Sequence, residues 1–354
     1  TKYPDNEIRM MAVLDMADYL VIGGCGFLGR HLCEHLLQRG YSVRAFDIRK
    51  TFDNDKIDFY IGDLCSEKDV LTALEGVTCV FHCASPSPLS NNRALFHKVN
   101  VEGTKLLISL CKKAGVKKLV LTSSASVVYE GNDIQGGKED LPYAAKPIDP
   151  YTETKILQEQ IVLAANSSEF YTVAVRPHGI FGPRDPHLVP TTAGLARRGK
   201  FKYIIGDGKN LVDFTYIDNV VHGHILASEK LGKDSPVCGK AYHITNDEPI
   251  YFWTFMSRIV EGLGYDPPHI YLPYFFVYFI AVIMMVISKI VNLFVPWNPT
   301  LTPMKVALAG THHFYLCDRA KKDMGYKPVV SLDDGIQRTV DSFDYLKSGA
   351  DGDK

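Results

Sequence analysis

The amino-acid sequence predicts an α/β protein: a doubly wound parallel sheet of the Rossmann type with a smaller C-terminal lobe and a membrane-associated apolar segment. Three observations lead to this fold. A glycine-rich turn joins the first buried strand to a helix, strand-like and helix-like segments then alternate through residue 122, and an uncharged apolar stretch follows residue 273. Alternation of this kind is typical of parallel sheets covered by helices on both faces.

The bulk composition limits the class of protein. The chain has 354 residues, enough for one large α/β domain with an appended lobe or for two domains. A net charge of −1 gives no indication of a nucleic-acid partner. The eight cysteines have no Cys-x-x-Cys spacing, which argues against zinc ribbons and thioredoxin-type motifs and indicates a reducing compartment.

The first strand and helix form the clearest unit. The strand at residues 19–22 reads as buried, and a helical pattern follows the turn as far as Leu37. Gly23, Gly26 and Gly29 permit a tight turn, a close approach of the backbone to a pyrophosphate, and close packing of helix against strand. N–H groups at the helix start would face the phosphates. The unit therefore predicts a dinucleotide site, and a fold of the same type that binds no nucleotide is the alternative.

The second strand, residues 42–46, ends at Asp47, 18 residues after Gly29. A carboxylate at this place can accept hydrogen bonds from the adenosine ribose, and it repels a 2′-phosphate. Asp47 therefore predicts NAD rather than NADP as the cofactor. Arg49 lies close enough to keep NADP as the alternative.

The later elements continue the alternation, with strands at residues 80–82 and 118–122 and a helix at residues 94–113. Residues 121–127 then lie at the carboxyl edge of the sheet, where ligands of such folds bind. The hydroxyl of Ser124 can hydrogen-bond a substrate alcohol or ketone there. The alternative role for this serine is a helix cap or a turn.

Tyr151 and Lys155 are four residues apart, so a helix places the phenol and the ammonium on one face. A free tyrosine has a pKa near ~10 and is a poor base at neutral pH. A nearby cation favours the phenolate and lowers that pKa. The pair predicts a proton-handling site, although the same spacing also occurs on ordinary helix surfaces.

The glycine loop, the serine at the strand end and the tyrosine–lysine pair follow one another along the chain. With these motifs in this order, residues 18–340 resemble the extended short-chain dehydrogenase/reductases. The resemblance implies that Tyr151 accepts the proton of the substrate hydroxyl, that Ser124 orients this hydroxyl, and that Lys155 binds the nicotinamide ribose and lowers the pKa of Tyr151. It also implies a set of cofactor-binding residues in the glycine loop, the adenine-side pair, the fourth-strand motif, a central helix and the segment that passes the nicotinamide. These are Gly23, Gly26, Phe27, Leu28, Gly29, Asp47, Asp63, Leu64, Ala84, Ser85, Asn100, Tyr151, Lys155 and Pro177.

Longer segments resemble the decarboxylating sterol-4α-carboxylate 3-dehydrogenases, in the 3β-hydroxysteroid dehydrogenase branch of that family. They are residues 82–86, 90–92, 140–143, 146–159, 206–214 and 243–250. The resemblance implies NAD-dependent oxidation of the 3β-hydroxyl of a 4α-carboxysterol, with loss of the carboxylate as CO₂, giving a 3-ketosterol in sterol (cholesterol) biosynthesis. The alternatives are a 3β-hydroxysteroid dehydrogenase/isomerase acting on steroids without the 4-carboxylate, a nucleotide-sugar epimerase, and a catalytically idle NAD-binding membrane scaffold.

Cationic and imidazole side chains are further candidate ligands. Arg184 and Lys209 are candidates for pairing with the sterol carboxylate, although sequence alone does not place them. His222 and His224 are two residues apart and do not share a helical face, so helix packing is favoured over metal binding. We expect no metal site.

The apolar segment, residues 271–297, suits a sterol enzyme. About twenty helical residues would span the ~30 Å hydrocarbon layer, but Pro273 and Lys289 interrupt the run, and the following tail has to dock on the same body as residues 18–250. We therefore expect monotopic attachment to the cytosolic face of the endoplasmic reticulum or to lipid droplets, with a buried core helix as the alternative. The expected partners are a sterol substrate, this membrane, other enzymes of sterol C4 demethylation, and a second copy in a homodimer.

The predicted division of the chain has three parts. Residues 1–17 form an N-terminal extension, and residues 18–180 form the NAD-binding Rossmann domain with the catalytic residues. Residues 181–354 form a substrate lobe that is interleaved with the core and includes the 271–297 segment.

Overall fold

The computed structural model describes residues 17–87, 90, 92–295, 297, 299 and 301–349. Residues 1–16 of the predicted N-terminal extension lie outside the described residues. The strands of the described part are β1 (Ala17–Ile22), β2 (Val43–Asp47), β3 (Ile57–Ile61), β4 (Val77–His82), β5 (Lys118–Thr122), β6 (Ile134–Gly137), β7 (Tyr171–Pro177), β8 (Ile180–Phe181), β9 (Tyr203–Ile205), β10 (Leu211–Val212), β11 (Thr215–Tyr216), β12 (Lys240–Ile244), β13 (Ile250–Tyr251), β14 (Ile270–Leu272) and β15 (His313–Tyr315).

The helices of the described part connect these strands. They are α1 (Phe27–Gln38), α2 (Glu67–Leu74), α3 (Arg93–Phe96), α4 (Thr104–Lys113), α5 (Pro150–Ala164), α6 (Leu188–Arg197), α7 (Ile217–Lys230), α8 (Phe252–Gly262), α9 (Tyr274–Val291), α10 (Pro303–Gly310), α11 (Asp318–Met324) and α12 (Leu332–Ser342). A π-helical segment, His97–Gly103, joins α3 to α4, and 3₁₀ turns cover Ala125–Val128 and Asp344–Leu346.

The main sheet has seven parallel strands in the order β12-β7-β5-β4-β1-β2-β3. Alternate residues of its strands face opposite sides, as the pleat requires. Val21 and Phe81 pack into a core shared with α1 and α7, whereas Leu20 and Val80 pack with α2 and α4. The predicted doubly wound parallel sheet is therefore confirmed. Its strand order reverses between β1 and β4, which opens a crevice at their carboxyl ends.

One predicted element differs in detail. The helix expected at residues 94–113 begins at Arg93, and its middle forms the π-helical segment His97–Gly103. Wider helical turns of this kind are frequent at functional sites. Asn100 lies in this segment and donates a hydrogen bond from Nδ2 to the Thr154 hydroxyl of α5, 3.0 Å away.

The second half of the chain returns to the first half several times. β12 forms an edge of the main sheet beside β7, and β15 pairs with both β6 and β10. Two further small sheets pair β8 with β11 and β9 with β14. β12 follows the predicted boundary at residue 180 but belongs to the main sheet. The division of the chain into domains at residue 180 therefore stays a prediction.

α9 is the one helix in the described part of the chain that is long and apolar enough to cross a membrane, judged by length and composition. Its buried residues, Val277, Ala281 and Ser288, recur at spacings that return to one face of a helix. This face packs on Val306 of α10. The remaining faces expose large apolar side chains, including Phe275 at 84% and Phe279 at 62%.

Candidate active site

The glycine loop after β1 has the geometry of a phosphate-binding turn. Gly23 has a φ of 81°, and a Cβ at this position would lie 2.7 Å from the backbone nitrogen of Ala84. A Cβ on Gly29 would lie 2.0 Å from the carbonyl oxygen of Gly23. Gly26 is the N-cap of α1 and has no side chain to cover the helix N-terminus. Phe27 and Leu28 follow as the first residues of that helix, so its N–H groups can meet an anion.

The cleft beside this loop has a volume of about 340 Å³ and suits the adenosine half of a dinucleotide. Asp47, at the end of β2, accepts hydrogen bonds from the N–H groups of Cys25 (3.0 Å) and Ile48 (2.8 Å). Its carboxylate has further lone pairs to offer a ribose hydroxyl. Arg49 lines the same cleft. A larger, more open cavity of about 610 Å³ lies within residues 128–145 and has none of the predicted site residues in its lining.

The other predicted cofactor residues surround this cleft. Asp63 and Leu64 line it after β3, and Ala84 and Ser85 line it after β4. The backbone N–H of Cys65 and the ammonium of Lys98 lower the pKa of Asp63, so this side chain is a carboxylate at neutral pH.

Asn100 stands apart from that wall of the cleft. It is fully buried, and its Oδ1 has no hydrogen-bond partner among the described residues. Pro177 ends β7 on the far side, and the β5–β7 register, which pairs Thr122 with Val175, brings it toward Ser124. The cleft, the glycine loop and Asp47 therefore fit a bound NAD.

Tyr151 and Ser124 meet at the carboxyl edge of β5. Ser124 is the N-cap of the 3₁₀ turn Ala125–Val128, and its Oγ accepts a 3.2 Å hydrogen bond from the N–H of Ser126. The Tyr151 ring packs edge-on against Phe96, 5.9 Å between ring centroids. Burial raises the pKa of Tyr151 to about 12, while hydrogen bonding with Ser124 acts in the opposite direction.

Lys155 lies one helical turn beyond Tyr151 and is buried. Its ammonium donates to the Thr122 carbonyl oxygen at 2.6 Å and forms a short hydrogen bond to Gln158 Oε1. Burial lowers the pKa of Lys155 to about 8, and the Glu159 carboxylate partly offsets this. The resemblance implies that Lys155 lowers the pKa of Tyr151. This role stays a prediction, because in this conformation the ammonium donates to Thr122 and Gln158 and burial has the largest effect on the pKa of the phenol.

Sequence reasoning missed the polar side chains that support Lys155. The amide Nε2 of Gln158 donates a hydrogen bond to the Thr104 hydroxyl (3.0 Å) and hydrogen-bonds with His82 Nε2 (3.1 Å). Glu159, fully buried, is one turn beyond Lys155 on the same helix. Their spacing of three and four residues from Lys155 was the available signal, since these positions share a helical face.

The two cations predicted as candidates for binding the sterol carboxylate have different surroundings. Arg184 donates to both carboxylate oxygens of Glu34 on α1, at 2.7 and 3.3 Å. Lys209 lies in the turn between β9 and β10 and is exposed. Among the described residues, neither forms a hydrogen bond or ion pair with Tyr151 or Ser124. The structure therefore gives no support for either as the carboxylate ligand.

The two histidines of α7 differ: His224 has protein partners, whereas Nδ1 of His222 is buried without a hydrogen-bond partner among the described residues. His224 is buried and hydrogen-bonds with the Thr122 hydroxyl at 2.8 Å. In the described part of the chain, one group of side chains, His31, His35 and Asp218, is close enough to share a metal ion. His35 and Asp218 lie 3.2 Å apart and form an ion pair when the imidazole is protonated, and the absence of a metal site stays a prediction.

The sequence of this chain is similar to those of known proteins over most of its length. Residues 20–274 match the model of the 3-beta hydroxysteroid dehydrogenase/isomerase family. The chain is 60% identical over 333 residues to a human protein named sterol-4-alpha-carboxylate 3-dehydrogenase, decarboxylating, which covers 92% of this chain and 88% of the relative. It is 58% identical to the mouse protein of the same name, over 92% of this chain and 91% of the relative.

More distant matches extend to fungi and to solved structures. The Saccharomyces cerevisiae protein of the same enzyme name is 38% identical, over 91% of this chain and 96% of the relative. The crystal structure of gox2253 superposes with a TM-score of 0.77 at 24% identity, covering 92% of this chain and 98% of that one. UDP-glucose 4-epimerase from Thermotoga maritima superposes with a TM-score of 0.69 at 25% identity, with the same coverage.

The solved structures confirm the predicted fold, and the sequence matches confirm the predicted resemblance to sterol-4α-carboxylate 3-dehydrogenases. Both kinds of match extend over more than nine-tenths of this chain. The chain belongs to the 3-beta hydroxysteroid dehydrogenase/isomerase family.

Proposed function

We propose that this protein oxidises the 3β-hydroxyl of a 4α-carboxysterol with NAD and releases the 4-carboxylate as CO₂, yielding a 3-ketosterol in sterol biosynthesis. The observation that carries the proposal is the high identity to relatives named for this reaction, over 92% of the chain. The hydrogen bond between Tyr151 and Ser124, with Lys155 one helical turn from Tyr151, supports the chemistry.

The oxidation needs a base and an orienting group at the substrate hydroxyl. The Tyr151 phenolate takes the hydroxyl proton while Ser124 donates a hydrogen bond that fixes the oxygen. Bound NAD supplies the acceptor for the hydride that leaves the same carbon. The resulting ketone oxygen then lies between two hydroxyl donors, Tyr151 and Ser124.

Proton acceptance requires a lower pKa at Tyr151 than burial gives it in this conformation. The Lys155 ammonium would achieve this by turning from the Thr122 carbonyl and Gln158 toward the phenol and the ribose. Lys155 is therefore the side chain that changes partner in the working site. Before this change, the Thr122 carbonyl and Gln158 accept hydrogen bonds from the Lys155 ammonium and hold it in place.

Loss of CO₂ follows from the product of the oxidation. The ketone lies β to the carboxylate, so the bond between C4 and the carboxylate breaks and its electrons form an enolate with oxygen at C3. Hydrogen bonds from Tyr151 and Ser124 stabilise this oxyanion. A proton then adds to C4, which completes the balance. No further decarboxylating side chain is needed.

The test is release of labelled CO₂ from a 4-carboxysterol with NAD, compared with NADH formation. We expect both to fall together by more than about a thousandfold in Tyr151→Phe, because removing a proton acceptor costs about that factor. Undiminished turnover in this variant would reject the assignment. A 3β-hydroxysteroid lacking the 4-carboxylate, run in parallel, distinguishes the dehydrogenase/isomerase reaction, and no turnover on either would favour a catalytically idle scaffold.

We also propose that α9 attaches the protein to one leaflet of a membrane. Its buried stripe lies on α10, while its other faces expose residues such as Phe275 and Phe279. The strands before and after it, β14 and β15, both pair within the same body. A helix docked along one face in this way suits an in-plane position better than a crossing. The free cysteines suit the cytosolic face of the endoplasmic reticulum or lipid droplets.

Flotation with liposomes tests the attachment. The double variant Phe275→Glu and Phe279→Glu changes exposed side chains and leaves the buried stripe intact, so we expect a folded protein that no longer floats. Val329→Glu, at an exposed position outside α9 and the cofactor cleft, is the matched control. Equal flotation of all three proteins would reject the proposed surface.

The remaining assembly proposals are a homodimer and association with other enzymes of sterol C4 demethylation. The exposed Leu157 on α5 supports a contact between copies. Light scattering of the detergent-solubilised protein gives the oligomeric state, and a monomer at micromolar concentration would reject the dimer.

A further inference from the structure

Glu159 is fully buried on α5, and its carboxylate joins three other segments of the chain. The Ser123 hydroxyl and the Tyr143 hydroxyl (2.8 Å) donate to it. The Arg176 guanidinium donates through both Nη2 (2.6 Å) and Nε (3.0 Å). A buried carboxylate with this many donors has its lone pairs satisfied and its position fixed.

The donors come from the segments that carry the reacting groups. Ser123 immediately precedes Ser124, Arg176 immediately precedes Pro177, and Tyr143 lies in the connection that leads to α5. α5 itself carries Tyr151 and Lys155. The Glu159 carboxylate on α5 therefore hydrogen-bonds both to the segment that carries Ser124 and to the end of β7.

The same carboxylate is a negative charge one helical turn from Lys155. Glu159 lies one helical turn beyond Lys155, and its charge opposes the effect of burial on the pKa of that ammonium. The other titratable groups around Lys155 are the Cys83 thiol and the imidazoles of His82 and His224. Burial lowers the pKa of His82 to about 3 and of His224 to about 4, so both are neutral.

Arg176 and Tyr143 face Glu159 itself, and Arg176 also donates to the Glu139 carbonyl oxygen. The guanidinium partly balances the carboxylate, as a buried ion pair requires. The Arg176–Glu159 pair is therefore a single structural unit, and the effect of removing one member includes the effect of leaving the other unpaired.

We propose that Glu159 is a positioning residue of the reaction. It aligns Ser124 through Ser123 and provides a fixed negative charge one helical turn from Lys155. This inference rests on the proposed function for the identity of the reacting groups, but its test does not need a sterol. The role is that of a fixed counter-charge behind the site, and Glu159 itself does not touch the substrate.

The first test is the pH dependence of NAD affinity, measured by calorimetry between about pH 6 and about pH 10. Lys155 binds the ribose as a cation, so affinity falls as the ammonium loses its proton. In Glu159→Gln we expect this fall to begin about one pH unit lower, because the opposing negative charge is gone. Glu159→Asp retains the charge and should restore the original pH range even if affinity is reduced. Glu169→Gln, an exposed glutamate, is the matched control.

Folding is controlled separately, because Glu159→Gln leaves Arg176 buried without its partner. The double variant Glu159→Gln and Arg176→Gln removes both charges, and we expect it to regain a cooperative thermal transition while keeping the shifted pH range. Tyr143→Phe removes one neutral donor, and we expect the original pH range. A loss of affinity that is equal at every pH in Glu159→Gln and in the double variant would overturn the inference.

The second test separates this inference from the proposed function. With a 4-carboxysterol, kcat should fall at least about tenfold in Glu159→Gln while KM changes by less than about threefold, since the misaligned Ser124 weakens a transition-state contact. If Glu159→Gln shifted the pH dependence of NAD affinity as expected but the unaltered protein oxidised no sterol, the proposed function would fail and the role of Glu159 would stand. If the pH dependence of NAD affinity were unshifted in Glu159→Gln while the unaltered protein turned over the sterol normally, the role of Glu159 would fail and the proposed function would stand.

Discussion

Asp47 should set the choice between NAD and NADP, and replacing it changes a defined set of contacts. Its two carboxylate oxygens accept the N–H groups of Cys25 and Ile48, at 3.0 and 2.8 Å, so the side chain is held at the end of β2. A carboxylate offers about four lone-pair sites, which leaves acceptors for a ribose hydroxyl. A hydrogen bond to a charged acceptor contributes about 1.5–3 kcal/mol. Asp47→Ala should therefore weaken NAD binding about 10- to 150-fold.

NADP should respond in the opposite sense. The negative charge of Asp47 repels a 2′-phosphate, and Arg49 lines the same cleft. Asp47→Asn keeps the shape and one acceptor but removes the charge, so it should bind NAD more tightly than Asp47→Ala and should improve NADP binding over the unaltered protein. The ratio of the two affinities is the diagnostic quantity.

Isothermal titration with each cofactor measures this ratio without a sterol. Asp58→Ala, an exposed aspartate on the neighbouring β3, is the matched control and should leave both affinities unchanged. If the preference for NAD over NADP were the same in the unaltered protein, Asp47→Ala and Asp47→Asn, the reasoning about this carboxylate would be refuted.

Two further predictions concern stability. Gly29→Ala places a Cβ 2.0 Å from a backbone oxygen of the glycine loop, so we expect a loss of about 1–3 kcal/mol in the free energy of unfolding and loss of NAD binding in calorimetry. Gly194→Ala meets its nearest neighbour at 3.8 Å and should be neutral or slightly stabilising; equal destabilisation of the two would contradict the steric argument. Burial lowers the pKa of Lys155 from 10.5 to about 8, so between these pH values the unfolded chain binds a proton that the folded chain does not. The free energy of unfolding should therefore gain up to about 3 kcal/mol as the pH rises through this window, and urea titrations of Lys155→Met should lack that gain.

The parts of the site that were predictable from sequence are those in which spacing alone dictates proximity. The glycines at 23, 26 and 29 sit in one turn, and Tyr151 and Lys155 sit on one helix, so local geometry brings each set together. Asp47 was predictable because a strand of known length carries it back to the same edge of the sheet.

The parts that could not be predicted depend on contacts between distant segments. Nothing in the local sequence indicates that Arg176 of β7 meets Glu159 of α5, or that Lys155 donates to the carbonyl of Thr122 at the end of β5. The wider helical turn at Asn100 was missed because the π-helical segment His97–Gly103 is too short for its own apolar period to appear in the sequence. The effect of burial on the pKa of Tyr151 was also not predictable, because it depends on tertiary packing around the phenol.

The position of β12 at the edge of the main sheet has a consequence for synthesis on the ribosome. β7 pairs with β12, which follows it in the chain after roughly 60 residues. At about 5–20 residues per second, the outer edge of β7 stays open for roughly 3–12 s after the strand itself has been made. An open edge strand recruits other chains. A product that stops within this interval would keep that edge permanently, so we expect such truncated chains to aggregate and not to accumulate as a soluble nucleotide-binding half.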